Sequence, residues 1–297
     1  MRLVVVTTSY PSHPGDPSGH FVEAEVKDLE AAGHSVVVVR PTAGGAFGWP
    51  GAAARIQARP WRAIDAGTWS FRAAAQIAAA KPDRIIANWC VPCAWPIATR
   101  AHSATPLEVV SHGGDVRLLV RLPKRITSGV VQAIAHRADR WRFVSETLLD
   151  QLSSALSTSD RTLIERVAVV TPGALGVMDV CDAVREKRDT VGDRRLYVCA
   201  GRLVHSKRID KVIDYFADER EHHERVLVVL GDGPERPNLE KLAHRWNIDI
   251  RFLGKRPRGE TLAWIGAADE LVHASRAEGF STVVREAEHL GVKVTLL

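Results

Sequence analysis

The chain has 297 residues, of which 45% are hydrophobic and 25% are charged, and its net charge is +5 at pH 7. This length favours two domains, and the composition excludes an intrinsically disordered protein. Its longest apolar runs, such as residues 226–230, are far shorter than the roughly 18 residues that a membrane-spanning helix needs. Because a secretory signal pattern is also missing at the amino terminus, the sequence predicts a cytoplasmic protein.

Strands and helices alternate along the first half of the chain. Residues 3–7 form an apolar run typical of a buried strand, and residues 21–32 repeat apolar side chains at helical spacing. Gly33 then ends this helix before the next strand, which completes a βαβ unit. Further strands are predicted at 34–39, 84–87, 107–110, 141–144 and 167–170, and further helices at 69–80, 96–102, 125–136 and 146–155.

The alternation stops once and then begins again. Residues 178–194 are charged and lack apolar periodicity, so they are predicted to link two domains, residues 1–177 and residues 195–297. Both domains are expected to be α/β, Rossmann-like and built on parallel sheets that face a ligand-binding cleft. In the second domain, strands are predicted at 196–200, 226–230, 250–253 and 271–273, and helices at 208–216, 235–246, 261–267 and 281–290.

Two loops of the first domain follow strands and carry candidate ligand groups. Residues 8–21 are rich in Pro, Gly and Ser, and Gly19 at the helix start would let a phosphate approach backbone N–H groups. This loop does not match G-x-G-x-x-G, which disfavours a nicotinamide site, and a flexible surface loop is the alternative. The loop SHGGDV at 111–116 offers His112, which can hydrogen-bond a sugar hydroxyl, although a tight turn capped by Asp115 would also explain it.

Two segments of the second domain carry candidate charges. The loop GRLVHSK at 201–207 contains the cations Arg202 and Lys207, which suit a diphosphate whose charge must be neutralised. Two solvated surface cations are the alternative. The stretch EGFSTVVRE at 278–286 places Glu278 before a helix, where it can bind sugar hydroxyls, and Glu286 two turns later, where it can reach ribose hydroxyls. Because Glu286 lies at the edge of the apolar stripe of this helix, an ordinary surface glutamate remains possible.

Taken together and in order, these motifs resemble the retaining, nucleotide-sugar-dependent glycosyltransferases that have the GT-B fold, often called group 1 transferases. The stretch 278–286 is similar to the E-x7-E signature of that family. The other matching motifs are the glycine loop at Gly19, GHSVVVV at 33–39, HGGD at 112–115, FVSETL at 143–148, GRLVHSK at 201–207 and LGDGPE at 230–235.

The resemblance implies transfer of a sugar from a nucleotide diphosphate sugar, with retained anomeric configuration, to a glycan, lipid or small-molecule acceptor. Such transfer needs no side-chain nucleophile and no further cofactor, and the lack of an Asp-x-Asp motif is in keeping with a metal-independent reaction. The resemblance implies that His112 contacts the transferring sugar and that Glu278, with the backbone of Phe280 and Ser281, holds the hexose. It implies that Arg202 and Lys207, in the loop after Gly201, hold the diphosphate, which Gly19 also approaches. Glu286 is implied to hold the ribose.

The chain departs from the family pattern in three places. TPGALGVMD at 171–179 stands where Pro-Asn-Gly-Val-Asp is usual, Ser281 replaces a glycine, and the sequence stops at GVKVTLL, so the second domain is expected to lack its last elements. A nucleotide-sugar-binding protein without transferase activity is therefore an alternative, and a nucleotide-sugar epimerase of similar architecture is another.

Two other features bear on partners. Cys90 and Cys93 form a lone C-x-x-C, which cannot close a four-ligand zinc site, so they are expected to be small apolar residues in a loop. The stretch VRLLVRLPKR at 116–125 interleaves apolar and basic residues, which favours a solvated helix face, with peripheral contact with an anionic membrane as the alternative. No motif predicts nucleic acid binding.

Overall fold

A computed structural model describes residues 1–16, 18–42, 45–47, 52–100, 104–176, 178–218, 224–246, 248–275 and 281–297. The chain divides into two units, Met1–Ser12 with Ser18–Gly176, and His13–Pro17 with Val177–Leu297. Within the described ranges, no helix has the length and apolar content that crossing a bilayer requires.

Valine- and isoleucine-rich runs form the sheet of the first unit, in which helices cover the strands and bury both faces. Its strands are β1 (Arg2–Val6), β2 (Ser35–Val39), β3 (Arg84–Asn88), β4 (Leu107–Ser111), β5 (Arg140–Phe143) and β6 (Ala168–Val170). All neighbouring pairs are parallel, in the order β2-β1-β3-β4-β5-β6. The helices are α1 (His20–Ala31), α2 (Ala52–Ala58), α3 (Arg62–Ala80), α4 (Trp95–Arg100), α5 (Gly114–Leu119), α6 (Lys124–Arg137), α7 (Glu146–Ser154) and α8 (Thr158–Glu165).

The second unit repeats this arrangement on a smaller sheet. Its strands are β7 (Arg195–Ala200), β8 (Arg225–Leu230), β9 (Ile250–Gly254), β10 (Glu270–His273) and β11 (Lys293–Leu296), parallel in the order β11-β10-β7-β8-β9. Successive residues of β7 point to opposite faces, so Leu196 and Val198 join one core whereas Tyr197 and Cys199 join the other. The helices are α9 (Cys181–Asp189), α10 (Ile209–Asp218), α11 (Arg236–Trp246), α12 (Arg258–Ala267) and α13 (Thr282–His289).

The predicted fold class is confirmed, and each predicted strand is present to within one residue at either end. Several helices differ from expectation. The helix expected from residue 69 begins at Arg62, and α2, α5 and α8 were not predicted. Residues 178–194, expected as a connection, contain α9, whose Val184 packs against the second core. This helix has few apolar residues, so its sequence lacks the periodicity by which a helix is recognised.

Candidate functional site

A buried carboxylate, Asp115, joins two loops of the first unit. Its Oδ1 accepts hydrogen bonds from the backbone N–H groups of His112 at 3.2 Å and Gly113 at 3.0 Å. Its Oδ2 accepts one from the N–H of Cys90 at 2.8 Å. Asp115 is only 2% exposed, and these charge-assisted bonds compensate for the loss of water. The loops that follow β3 and β4 are therefore held in one arrangement, which positions His112.

The imidazole of His112 is uncharged at neutral pH. Its pKa is lowered to about 4, mainly by burial and in part by the charge of Arg142, whereas Asp115 acts in the opposite direction. Nε2 lies 2.7 Å from Oδ1 of Asn88, and the neutral tautomer with its proton on Nε2 can donate to this oxygen. In this tautomer Nδ1 keeps its lone pair, and this atom can accept a hydrogen bond from a sugar hydroxyl.

Two aromatic rings pack beside His112. The ring centroids of Phe21 and Trp89 lie 4.8 Å and 4.9 Å from that of the imidazole. Trp89 has a φ of +70°, a conformation that bulky residues rarely adopt and that is found preferentially at functional sites. Sequence reasoning missed both Trp89 and Asn88, because backbone strain and the pairing of two strand ends leave no local pattern in the sequence.

Gly19 is required by the packing of its own loop. The residue precedes α1 with a φ of +69°, and a Cβ built on it would lie 2.2 Å from the backbone oxygen of Ser9. The close approach that demands a glycine is therefore made by Ser9. The phosphate contact expected at Gly19 stays a prediction.

In the second unit, glycines let the loops after β7 and β8 touch through their backbones. A Cβ on Gly231 would lie 1.8 Å from the oxygen of Gly201, and one on Gly233 would lie 2.3 Å from the oxygen of Leu203. Gly231 also donates its N–H to the oxygen of Gly254 at 2.9 Å, which adds the end of β9 to the same layer. The turn GDGPE at 231–235 thus supports the loop that carries Arg202 and Lys207.

Lys207 places a cation at the carboxyl ends of β7 and β10. It ends a 3-10 turn, His205–Lys207, and its Cε would lie 3.9 Å from a Cβ on Gly201. The pKa of His273 is lowered to about 4, first by burial and second by the charge of Lys207. Burial raises the pKa of the Cys199 thiol to about 12, and Lys207 opposes this rise. Both effects show that the ammonium group lies near these strand ends.

Glu286 is buried and has a cationic partner. Its carboxylate accepts a hydrogen bond from the guanidinium group of Arg258 at the start of α12, and the two residues are 6% and 9% exposed. Glu286 is therefore not an ordinary surface glutamate, which its position at the edge of the apolar stripe had left possible. Sequence reasoning missed Arg258, which lies in a different helix. The apolar stripe predicted for α13 is confirmed, since Ala287, Val283, Val284 and Leu290 belong to or pack against the core.

The other predicted residues lie as follows. Arg202 is half-buried in the loop after β7. Ser281 occupies the N-cap position of α13, but its side chain makes no capping hydrogen bond. Glu278 and Phe280 lie outside the described residues, so their expected contacts with the hexose stay predictions.

None of the four cysteines forms a disulfide. Cys90 and Cys93 are buried free thiols, and burial, helped by the charge of Asp115, raises the pKa of each well above its ordinary value. Both are therefore protonated at neutral pH, which agrees with their interpretation as small apolar residues, but they lie in a short helical segment, Cys90–Ala94, and not in the expected loop. No group of three or more His, Cys, Asp or Glu side chains suited to a metal occurs within the described ranges.

The contact between Gly231 and Gly201 predicts how a substitution at Gly231 changes the stability of the protein. We expect Gly231→Ala to lower the free energy of unfolding by at least about 2 kcal/mol, because the methyl group would meet a backbone oxygen and φ is +128°. Gly259→Ala is the matched control, since its nearest neighbour is the end of the Met178 side chain at 3.7 Å. Urea unfolding measures both variants. Equal stability of the two would contradict the described loop packing.

The lowered pKa values of His112 and His273 predict a loss of stability in acid. Unfolded, each takes up a proton near pH 6.5, whereas His112 and His273 in the folded protein do so only at about pH 4. The unfolded state binds more protons in this window, so each histidine removes roughly 1.4 kcal/mol per pH unit as the pH falls. Urea unfolding of His273→Gln should show a shallower pH dependence than the wild type. Identical slopes would mean that His273 is not held uncharged.

Comparisons with known proteins agree with this architecture. A family model described as "Glycosyl transferases group 1" matches residues 182–295. TuaC of Bacillus subtilis, whose name describes a teichuronic acid biosynthesis glycosyltransferase, is 24% identical over 99% of this chain and 80% of its own length. A GDP-mannose-dependent phosphatidylinositol monomannoside mannosyltransferase of Mycobacterium tuberculosis is 26% identical over 99% of this chain and 79% of its own.

Solved structures show the same fold at low identity. Sucrose-phosphate synthase from Thermosynechococcus elongatus superposes with a TM-score of 0.72 at 18% identity, covering 99% of this chain and 80% of that one. Anabaena HepE in complex with UDP and glucose gives 0.62 at 19% identity, with 99% and 80% covered. The chain therefore has the GT-B fold, and its residues 182–295 match the family model of the group 1 glycosyl transferases.

Proposed function

We propose that this protein is a retaining glycosyltransferase that moves a sugar from a nucleotide diphosphate sugar to a glycan, lipid or small-molecule acceptor. The observation that carries the proposal is the cation of Lys207 at the carboxyl ends of β7 and β10, within the domain that matches the family. Support also comes from relatives that are named for such donors, GDP-mannose for the mycobacterial enzyme and UDP-glucose for a complex of HepE.

The second unit would hold the donor. Arg202 and Lys207 supply positive charge to the diphosphate, whose negative charge grows as the sugar leaves, and this stabilisation would lower the barrier for transfer. The carboxylate of Glu286 would accept hydrogen bonds from the ribose hydroxyls. Its pairing with Arg258 favours the ionised form, which is the form that accepts.

The first unit would contact the sugar. His112 is uncharged, and its Nδ1 would accept a hydrogen bond from a hydroxyl of the transferring hexose. With no side-chain nucleophile assigned, we propose that the leaving phosphate deprotonates the acceptor. We propose a metal-independent reaction because the sequence contains no Asp-x-Asp motif.

A nucleotide-sugar-binding protein without transferase activity is the second candidate. Because the binding groups of the second unit do not themselves require turnover, the same residues would serve a binder. Slow hydrolysis of the donor in the absence of an acceptor distinguishes the two, since a binder would be stabilised by the donor without releasing sugar. Release of an isomerised nucleotide sugar would instead identify an epimerase.

The donor site predicts the effect of removing its charges. We expect UDP-, GDP- or ADP-sugars to raise the melting temperature of the wild type, and Arg202→Ala and Lys207→Ala to weaken donor binding about tenfold or more each, because a charge-assisted contact with phosphate is lost. Isothermal titration calorimetry with the best donor measures the affinities. Glu286→Ala should weaken binding of the nucleoside part. Unchanged affinity in all three variants would reject the site.

The pair of Arg258 and Glu286 predicts a change in pH dependence. Arg258→Met leaves a buried carboxylate without its cation and so favours protonation of Glu286. Donor affinity in this variant is expected to fall as the pH is lowered, while Arg258→Lys retains most of the wild-type profile. The control is Arg256→Met, which removes a partly exposed arginine whose Nη1 lies 3.7 Å from Oε1 of Glu260.

Adding Glu286→Gln to Arg258→Met should abolish the new pH dependence, because the group that titrates is then gone. A flat profile in Arg258→Met itself, with donor still bound, would show that Arg258 does not govern the charge of Glu286.

A further inference from the structure

Helix α3 is apolar on two opposite sides. Trp69, Ala73 and Ile77 face inward and belong to the core of the first unit. On the other side, Ile64 and Phe71 are 69% and 66% exposed. A helix that is apolar all round is normally buried all round, so the outward side of α3 needs an explanation.

The outward apolar residues form one continuous stripe. Positions 64, 68, 71, 75 and 78 recur at intervals of three and four, which places them on one side of a helix, and all five are exposed. The stripe reads Ile, Thr, Phe, Ala and Ala and is about 21 Å long at the rise of an α-helix. Trp61, which precedes the first helical residue, extends it and is 64% exposed.

Positive charge surrounds this stripe. The guanidinium group of Arg59 lies 5.9 Å from the ring centroid of Trp61. Burial lowers the pKa of Arg55, and the charges of Arg62 and Arg59 lower it further, so these three arginines lie close together. From residue 52 to residue 81 the sequence has one carboxylate, Asp65, and its cations are Arg55, Arg59, Arg62, Arg72 and Lys81.

We propose that the outward face of α3 is a membrane-docking surface that lies on an anionic lipid bilayer. Ile64 and Phe71 enter the boundary between headgroups and acyl chains, and Trp61 lies at headgroup level, where its amphipathic ring is favoured. The neighbouring arginines contact anionic headgroups, each adding electrostatic attraction that salt screens. The charge pattern favours a lipid bilayer as the partner, because a bilayer surface presents many negative groups at once and needs no complementary shape.

This surface differs from the one that the sequence suggested at 116–125. In that stretch Val116 and Leu119 are fully buried and Arg117 is half-buried, so these three residues do not contribute to an exposed face, and membrane contact there stays a prediction. Leu118 and, just beyond the stretch, Ile126 are the exposed apolar side chains, at 46% and 50%. They supply a matched control.

Vesicle sedimentation tests the docking surface without any sugar donor. The full chain is mixed with vesicles of phosphatidylcholine alone or with about 30% phosphatidylglycerol, at about 0.1 M and about 0.5 M salt. We expect binding to the anionic vesicles at low salt, and at least a tenfold weaker partition for the double variant Ile64→Ser with Phe71→Ser, roughly what losing two partly inserted apolar side chains would cause. Leu118→Ser with Ile126→Ser should bind like the wild type.

Three results would overturn the proposal. One is the absence of wild-type binding to anionic vesicles at low salt, and another is equal binding to neutral vesicles. The third is loss of binding in the Leu118 and Ile126 variant with retention in the Ile64 and Phe71 variant. Because these outward side chains lie away from the core, we expect melting curves to show that both variants are folded. A variant that lost binding because it had unfolded would be identified by its melting curve.

Discussion

Parallel strands constrain where this protein can place its functional groups. All strands of a parallel sheet end at the same edge, so the loops that follow them gather there, and the side chains of both units that we assign to ligands belong to such loops or to the helices they open. In the first unit, a single buried carboxylate, Asp115, fixes two of these loops through three backbone N–H groups. In the second, glycines bring main chain against main chain. These backbone contacts therefore hold the loops in place where they leave the sheet.

Much of this organisation could be predicted from the sequence. Apolar runs located the strands, and the motifs around His112, Lys207 and Glu286 predicted the segments that we assign to ligands. What the sequence could not supply were contacts between distant residues. Arg258 lies 28 residues before Glu286 and in another helix, and no spacing rule connects them. The unusual backbone of Trp89 is likewise a property of conformation. Helix α9 was not predicted because its charged sequence lacks apolar periodicity, although its Val184 packs against the second core.

Burial controls the charge state of the groups assigned to ligands. His112 and His273 are uncharged because desolvation outweighs any favourable partner, whereas the buried Glu286 has Arg258 beside it. An imidazole without charge does not repel the cations of a diphosphate site, and its lone pair is available to hydroxyl groups. The same burial makes the fold less tolerant of acid, so the electrostatic arrangement that suits a sugar ligand has a cost in stability.

The backbone contact between Gly231 and Gly201 has a consequence for how such proteins diversify. Since no side chain can occupy that junction, natural variation and laboratory redesign alike must leave the scaffold of these loops intact and work on the groups that project from it. Under the proposed function, preference for one nucleotide or one hexose over another would be open to change through single projecting residues, while the backbone contacts beneath them stay the same.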